Sequence, residues 1–330
     1  MLDLAIIGAG PIGLEAAILA KRADLSYVVL EQGCVVDAIY HYPTYMTFFT
    51  TSERLEVGNH PMVTAIGKPT RKEALDYYRK VTGNEGLNIR QYSRVTGLRP
   101  QQEGFELTVE RPHEAPLRLT AKKVAVATGY FDNPKLLGVP GEDLPNVSHY
   151  YSEAHPFWNR KVTIIGAGSS AADAALELYR GGAKVTMIHR GEDFRHSLKY
   201  WVRPDLENRV KEGSIALHLK TIVREITPEC VIASKEGQEV RIPTDQTFAL
   251  TGYFASPALL EQAGVHIDPD DLSAELNPET FETNVPGLYV IGSAGFGMRT
   301  SDVFIENGLT HTHKAMADIV RTLEHEPVPG

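Results

Sequence analysis

Cysteine is scarce in this 330-residue sequence, which contains only Cys34 and Cys230. Two cysteines are too few for a disulfide scaffold or a cysteine-rich metal site, so we expect no metal. The sequence also has no apolar run near the ~20 residues that span a bilayer, and its N-terminus has no basic leader or cleavage site. These absences predict a cytoplasmic protein without a membrane partner.

Positive charge is the second shortage. Lys and Arg number 33 against 42 Asp and Glu, which gives a formal net charge of −9 at pH 7. Nucleic acids and anionic membranes both bind clustered Lys and Arg, so this balance disfavours them as main partners. The hydrophobic content of 42% is that of an ordinary globular protein. At roughly 100–200 residues per domain, the length predicts two domains.

The first glycine motif lies in "LAIIGAGPIGLEAA", residues 4–17. Gly8, Gly10 and Gly13 fit Gly-x-Gly-x-x-Gly, which allows a tight turn, a close approach to a pyrophosphate, and packing of the helix on the strand. The helix that should follow favours an anion at its N-terminus. The next predicted strand ends in Glu31, near the offset at which an acid accepts a ribose hydroxyl. The alternative is a glycine turn without a nucleotide.

A second motif occurs about half a chain length later, in "KVTIIGAGSSAADAALE", residues 161–177. Gly166 and Gly168 keep the roles of the first two glycines, and Ala171 occupies the third position, which is a tolerated variant. The pattern of strand, turn and helix is the same. The sequence therefore predicts two dinucleotide sites.

The two motifs differ at the ribose end. The strand after the second motif is followed by His189 and Arg190, with Arg195 further on, rather than by an acid. Arginine matches the charge and fork geometry of a 2′-phosphate, so we predict NADPH at the second site and FAD at the first. Hydride would pass from NADPH to the flavin. The alternative is that these arginines lie on a solvated loop.

The rest of the chain predicts how the two sites are organised. Alternating runs over about 92–128 predict a β-meander, and "VPGLYVIGSAG" near the end predicts a final buried strand followed by a long amphipathic helix. We therefore predict an α/β fold with two Rossmann-like, three-layer ββα domains. The FAD domain comprises residues 1–128 and 255–330, and the NADPH domain, residues 129–254, is inserted into it.

The order of motifs also carries a family resemblance. "GAGPIG", "ATG", "GAGSSA", "HRG…R" and "YVIG" resemble the low-molecular-weight thioredoxin reductase-like flavoproteins. Within them, the chain resembles the bacillithiol disulfide reductase (YpdA) family over essentially residues 1–315, on the segments "IYHYPTYMTFFTTSERLEVG", "ATGYFDNP", "HYYSEAHPFW", "SAADAALEL" and "VFIENG". The resemblance implies a thioredoxin reductase-like homodimer that uses FAD and NADPH to reduce a small-molecule disulfide, bacillithiol disulfide.

Three departures qualify what the resemblance implies. Residues 130–165 contain no cysteine, which excludes the dithiol route of thioredoxin reductases. Typical YpdA members carry a cysteine in the first glycine turn, where this chain has Ile12. An Asp that often follows the last glycine is Ser293 here. Either another thiol serves, or the flavin reduces the disulfide directly, or the substrate differs.

Two residues are candidates for catalysis. Cys34 follows the ribose end of the first site, where a thiolate polarised by a helix N-terminus could attack a disulfide. The alternative is a small packed residue far from the flavin ring. His311 begins the helix expected to face the flavin and could protonate a leaving thiolate, or it could be structural. Cys230 is expected to be structural on a strand of the NADPH domain.

The motifs and the resemblance together predict the cofactor contacts. Aromatic residues from Tyr42 to Phe49 are expected to line the flavin, although they could equally be core aromatics of a loop. The predicted FAD residues are Gly8, Gly10, Pro11, Ile12, Gly13, Glu31, Gln32, Tyr42, Thr47, Phe48, Phe49, Val95, Thr128, Gly129 and Gly292. The predicted NADPH residues are Gly166, Gly168, Ser169, Ser170, Ala171, His189, Arg190 and Arg195.

Two other functions remain open at this point. An NADPH-dependent reductase of a small redox carrier such as ferredoxin or flavodoxin shares the cysteine-free architecture, and would present a basic docking face. A flavin-based redox sensor would bind FAD without turnover. A flavin monooxygenase is disfavoured because its linker motif is absent between the two turns.

Overall fold

The computed structural model describes residues 1–195 and 198–324. Its strands are β1 (Leu2–Ile7), β2 (Tyr27–Leu30), β3 (Ile89–Arg90), β4 (Arg94–Pro100), β5 (Phe105–Glu110), β6 (Leu117–Val126), β7 (Val147–Ser148), β8 (Lys161–Ile165), β9 (Lys184–Ile188), β10 (Ile215–His218), β11 (Thr221–Ile226), β12 (Cys230–Lys235), β13 (Gln238–Pro243), β14 (Gln246–Ala249) and β15 (Leu288–Val290). Its helices are α1 (Pro11–Arg22), α2 (Asp37–Tyr40), α3 (Arg71–Glu85), α4 (Ser169–Arg180), α5 (Arg203–Lys211), α6 (Ala258–Gln262) and α7 (Ile305–Glu324).

The chain forms two compact units. The first unit contains residues 1–40 and 46–133 and the chain from Tyr253 on, whereas the second contains His41–Tyr45 and Pro134–Gly252. The chain therefore leaves the first unit, builds the second, and returns. The short segment His41–Tyr45 is held in the second unit by the N–H of Thr44, which donates to the carbonyl of Ser152 over 2.8 Å.

The first unit is built on a seven-stranded sheet. Its order is β3-β2-β1-β6-β5-β4, and β15 also pairs with β6. The long strand β6 joins two regions, because its second half pairs in parallel with β1 and β15 while its first half pairs antiparallel with β5. Strands β1 and β2 are apolar and almost wholly buried, as expected for parallel strands covered on both faces.

Local sequence signals account for where the helices of this unit start. Helix α1 has Pro11 in its first turn, where the missing N–H costs no hydrogen bond. Helix α3 starts at a capping box, in which the Thr70 side chain accepts from the N–H of Glu73 and Glu73 reaches back to the N–H of Thr70. The amphipathic helix α7 packs against α1.

The second unit contains two sheets. The five-stranded sheet has the order β10-β9-β8-β14-β7 and is parallel throughout, and the three-stranded sheet β11-β12-β13 is antiparallel. Small residues on the inner face of α4 pack on the parallel sheet, where Ala171, Ala172 and Ala175 are fully buried. A separate apolar cluster that includes Val231 and Ile242 lies under the antiparallel sheet.

The structure confirms the predicted α/β class with two Rossmann-like units, and the predicted strands and helices at both glycine motifs are present. The long C-terminal helix predicted after the final strand begins at Ile305. Among the helices of the described residues, none is long and apolar enough to cross a membrane.

Candidate functional site

The first glycine turn connects β1 to α1 and is held very tightly. Gly8 has a φ of +106°, and a Cβ added there would lie 2.6 Å from the carbonyl oxygen of Ala127. A Cβ at Gly13 would lie 1.9 Å from the carbonyl oxygen of Gly8, so α1 rests directly on the turn. By contrast, a Cβ at Gly10 would meet nothing within 4 Å. The turn is therefore closed towards the sheet and open at Gly10, as a pyrophosphate cradle requires.

Glu31 stands at the end of β2 and supports this turn. Its carboxylate accepts the N–H of Ala9 over 2.7 Å and the N–H of Gly33 over 2.8 Å, and only 6% of the residue is exposed. Burial raises the pKa of this carboxyl, although the two backbone hydrogen bonds oppose that shift. Each carboxylate oxygen has a second lone pair, so the predicted ribose contact is compatible with the geometry. The neighbouring Gln32 donates to Asp132 over 2.7 Å.

Several other predicted FAD residues surround the same turn. Thr128 and Gly129 lie two and three residues after the end of β6, and Gly292 lies two residues after β15, so both segments leave the same edge of the sheet as Gly8. The side chain of Ile12 fills the space between two glycines, because a Cβ would lie 3.1 Å from Ile12 if added at Gly292 and 2.8 Å if added at Gly308. The structure thus brings together the residues expected at the flavin end.

The predicted aromatic lining is divided between the two units. Thr47 and Phe48 are held in the first unit, where Thr47 pairs with Thr70 and Phe48 is 6% exposed. Phe49 is 47% exposed and contacts Phe304 edge to face, with 5.6 Å between ring centroids. Tyr42, in contrast, belongs to the second unit. The predicted contact of Tyr42 with the flavin stays a prediction.

Val95 lies on β4 with its side chain buried in the core of the first unit. The preceding segment approaches the ribose end of the turn, since the N–H of Ser93 donates to the carbonyl of Glu31 over 2.7 Å. Because the Val95 side chain faces the core, only its backbone is available to a nucleotide.

The environment of Cys34 differs from the expected one. Its Sγ lies 3.2 Å from Oδ1 of Asp37, which also accepts the backbone N–H of Cys34. Burial and the hydrogen bond to the Asp37 carboxylate raise the pKa of the thiol to about 11. A neighbouring carboxylate disfavours a second negative charge, so this environment favours the protonated thiol over a polarised thiolate. A catalytic role of Cys34 stays a prediction that this environment disfavours.

His311 is held as a packed imidazole on α7. Its ring stacks on Phe281 with 4.0 Å between centroids and lies 5.7 Å from the ring of Phe296. Its Nδ1 is buried without a hydrogen-bond partner among the described residues. Burial lowers the pKa of this imidazole, and a hydrogen bond to the Gly292 backbone opposes that shift. A neutral ring favours the structural alternative over the predicted proton donor.

The second glycine turn connects β8 to α4 and repeats the geometry of the first. Gly166 has a φ of +141°, and a Cβ added there would lie 2.3 Å from the carbonyl oxygen of Leu250. Gly168 caps α4, whose first residues are Ser169 and Ser170. Ala171, at the third position, is fully buried.

The predicted NADPH residues lie together beyond the carboxyl ends of β8 and β9. The N–H of Arg195 donates to the carbonyl of Ala167 over 3.1 Å, so the loop that carries Arg195 rests on the glycine turn. Burial lowers the pKa of His189, and the charges of Arg195 and Arg190 lower it further. Nothing in the sequence motif pointed to Lys135, which also lies beside Arg195.

A family comparison decides the class of the protein. The family model described as pyridine nucleotide-disulphide oxidoreductase matches residues 5–292, which include both glycine turns. The chain belongs to the pyridine nucleotide-disulphide oxidoreductase family. It is therefore an oxidoreductase, and its cofactors are FAD and NADPH.

Individual relatives of this chain confirm its resemblance to the YpdA family. Bacilliredoxin reductase Bdr of Bacillus subtilis (strain 168) is 40% identical and matches 97% of this chain and 98% of the relative. The solved bacillithiol disulfide reductase Bdr (YpdA) of Bacillus cereus is 37% identical, with a TM-score of 0.95 over 97% of this chain and 99% of that chain. The enzyme of the same name from Staphylococcus aureus is 34% identical, with a TM-score of 0.90 over 97% and 98%.

The residues at both glycine turns fit the cofactors of the family. The turn at Gly10 leaves space where a pyrophosphate needs close approach to the backbone, and the buried carboxylate of Glu31 stands where a ribose is expected. At the second turn, His189 and Arg190 occupy the corresponding place beyond β9. Which of these residues contact each cofactor remains a prediction.

Proposed function

We propose that this oxidoreductase reduces bacillithiol disulfide with electrons from NADPH. The observation that carries the proposal is the likeness over 97% of the chain to structures named bacillithiol disulfide reductase. When bound, FAD supplies the two-electron chemistry that couples the cofactors, so that NADPH, one proton and one disulfide give NADP⁺ and two thiols.

In this proposal each compact unit binds one of the two cofactors. The first unit holds FAD through the turn at Gly8–Gly13 and the carboxylate of Glu31. The second unit holds NADPH through the turn at Gly166–Gly168 and the positive charge of Arg190. The opposite charges of the two ribose ends support this division, because a carboxylate accepts a free hydroxyl whereas arginine pairs with a phosphate.

We further propose that no protein thiol takes part. Ile12 has no reactive group, and burial and the Asp37 carboxylate raise the pKa of Cys34 to about 11, which disfavours the thiolate near neutral pH. Cys230 lies on β12, in the antiparallel sheet of the second unit. The reducing electrons therefore pass from the flavin to the disulfide without a mixed disulfide on the chain.

A second candidate acceptor is the disulfide of a small redox protein. The name bacilliredoxin reductase, carried by the Bacillus subtilis relative, favours it. We propose in addition that the protein acts in the cytoplasm, where NADPH is supplied, and as a homodimer, which the family resemblance supports. Light scattering coupled to size-exclusion chromatography tests the dimer.

An anaerobic stopped-flow experiment tests the reaction. Holoenzyme is reduced with one equivalent of NADPH and mixed with bacillithiol disulfide while flavin absorbance is followed, in the unaltered protein and in the variants Cys34→Ser and Cys230→Ser. Rapid reoxidation at equal rates in all three supports the proposal. A loss of reoxidation in Cys34→Ser alone contradicts the thiol-free route. Reoxidation only by an oxidised bacilliredoxin selects the second acceptor, and no reoxidation by either one contradicts both.

A further inference from the structure

Helices α1 and α7 begin at the same edge of the sheet in the first unit. Helix α1 follows β1 and α7 comes after β15, and both strands run parallel to β6. The contacts along the two helices show that they run in the same direction, because Ile12 faces Gly308 and, further along, Glu15 pairs with His313 over 2.8 Å. Both N-termini therefore lie beside the first glycine turn.

The side chain of Ile12 lies where three segments meet. A Cβ added at Gly308, in the first turn of α7, would lie 2.8 Å from Cδ1 of Ile12 and 3.3 Å from Cα of Gly292. A Cβ added at Gly292, in the turn after β15, would lie 3.1 Å from Cγ1 of Ile12. One further methyl group at either glycine would therefore overlap its neighbours.

The contact between Ile12 and Gly308 depends on a single atom. Cδ1 of Ile12 is the atom nearest to the Gly308 position, and it is the atom that isoleucine has and valine lacks. Without Cδ1, the nearest atoms to a Cβ at Gly308 would be Cα of Gly292 at 3.3 Å and Cγ1 of Ile12 at 3.4 Å, which a shift of a few tenths of an ångström accommodates. In so close a contact, one methyl group decides where α7 lies.

A second contact makes α7 and the Gly292 turn move together. His311, one turn after Gly308, forms a hydrogen bond to the backbone of Gly292. Its ring is stacked between Phe281 and Phe296, with centroids at 4.0 and 5.7 Å. A displacement of α7 at Gly308 is therefore passed on to the turn that is predicted to contact FAD.

The N-terminus of α7 also brings a partial positive charge to this place. The first N–H groups of a helix have no partner within the helix, and the dipole of a long helix such as α7, with 20 residues, adds to their effect. A flavin gains negative charge when it accepts electrons, so a helix N-terminus nearby raises its reduction potential. This effect falls off within about one turn, which makes it sensitive to the position of α7.

We propose that Ile12 is a positioning residue for FAD. By packing Cδ1 against Gly308, it fixes the N-terminus of α7 relative to the bound flavin, and it thereby sets both the affinity for FAD and the reduction potential of the flavin. The inference rests on the proposed binding of FAD to the first unit, and it does not depend on which disulfide is reduced.

A pair of compensating substitutions tests the contact in the holoenzyme. Gly308→Ala should weaken FAD binding about tenfold and make the flavin potential more negative, because the new methyl group pushes α7 away from Ile12. Ile12→Val alone removes Cδ1 and should weaken FAD about threefold. In the double variant the new methyl group fills the space that Cδ1 leaves, so adding Gly308→Ala to Ile12→Val should restore affinity and potential. The same substitution is thus harmful in one background and beneficial in the other.

Two equilibrium measurements give the readouts. Fluorescence of FAD released on dilution of the holoenzyme gives the affinity, and anaerobic equilibration with a dye of known potential gives the flavin potential. Gly83→Ala is the matched control, because Gly83 is an exposed glycine within α3 and a Cβ added there meets no atom of the described residues within 4 Å. It gains the same helix propensity and should change neither readout. The comparison of Ile12→Val with the double variant remains decisive if Gly308→Ala alone fails to fold.

Three results would overturn the inference. The first is that Gly308→Ala weakens FAD equally in both backgrounds. The second is a change in thermal unfolding with an unaltered flavin potential, which would make the contact structural only. The third is a loss of NADP⁺ affinity in place of FAD affinity, which would also reject the binding of FAD to the first unit. Failure of the disulfide to reoxidise the flavin would reject the acceptor and leave this inference standing.

Discussion

The two glycine turns share one backbone arrangement of strand, turn and helix, but the charged side chains around them have opposite signs. Where a ribose is predicted next to the first turn lie the carboxylates of Glu31 and Asp37, and at the corresponding place of the second turn lie His189 and Arg190. Burial and the Asp37 carboxylate raise the pKa of the Cys34 thiol, whereas burial and the charges of Arg195 and Arg190 lower the pKa of His189. If the predicted contacts hold, the shared turn binds the pyrophosphate of either dinucleotide, and the residues after the next strand select between FAD and NADPH.

The turns also differ in how closely the helix approaches. At Gly13 a Cβ would lie 1.9 Å from a backbone oxygen, whereas Ala171 carries a Cβ at the equivalent position of the second turn, 3.4 Å from the place of a Gly166 Cβ. The second helix therefore leaves room for one methyl group and the first does not.

The largest effect on stability is expected from adding a methyl group to the first turn, at the position where the second turn carries Ala171. Gly13→Ala should lower the free energy of unfolding by about 3 kcal/mol and release FAD, because α1 must move away from the turn. FAD content and thermal unfolding measure this. The matched change Ala171→Gly should cost about 1–2 kcal/mol, through lower helix propensity and the loss of one buried methyl group, and leave FAD bound. Equal FAD retention in both variants would contradict the difference between the turns.

The second prediction reverses the charge of the second ribose end. Arg190→Glu should lower the ratio of kcat/KM for NADPH to that for NADH by about 100-fold, since a carboxylate repels a 2′-phosphate and accepts a free 2′-hydroxyl. Steady-state rates with both nucleotides measure the ratio. Arg224→Glu changes the same charge on β11 of the second unit and should leave the ratio unchanged. An equal loss of kcat/KM with NADPH and NADH would show that Arg190 does not bind the 2′-phosphate.

The third prediction concerns the acidic end of the first turn. With a pKa of about 11, Cys34 should react slowly with iodoacetamide at pH 8 and progressively faster as the pH rises towards 11, since the thiolate is the nucleophile. Asp37→Asn keeps the shape and removes the charge, and should accelerate the reaction at pH 8 about tenfold. The measurement is made in a Cys230→Ser background, because both cysteines are free. Fast labelling at pH 8 before the Asp37 change would restore Cys34 as a candidate nucleophile.

The sequence predicted both turns, because strand, glycine turn and helix are local in the chain. It also predicted the resemblance, which the whole-chain relatives confirm. It did not predict the raised pKa of Cys34, since that shift depends on burial and on the position of the Asp37 carboxylate around a turn. Nor did it single out Lys135, which lies in an apparent linker and meets Arg195 only through the hydrogen bonds to residues 251 and 252. The assignment of the segment around Tyr42 to the second unit was not predicted either, because it depends on contacts with residues far away in the chain.

The smallest expected effect is a shift in the titration of His189. Its pKa is lowered by burial and by the charges of Arg195 and Arg190, so the ring should be neutral at pH 7 and gain its proton only below the usual range. Arg190→Ala removes one of those charges and should raise the pKa, although not to the ordinary value, because burial remains the main cause. Bound 2′-AMP should also raise it, since its phosphate favours the protonated ring. Proton NMR of the imidazole measures both shifts, and a pKa that responds to Arg190→Ala but not to 2′-AMP would place the 2′-phosphate away from this end of the sheet.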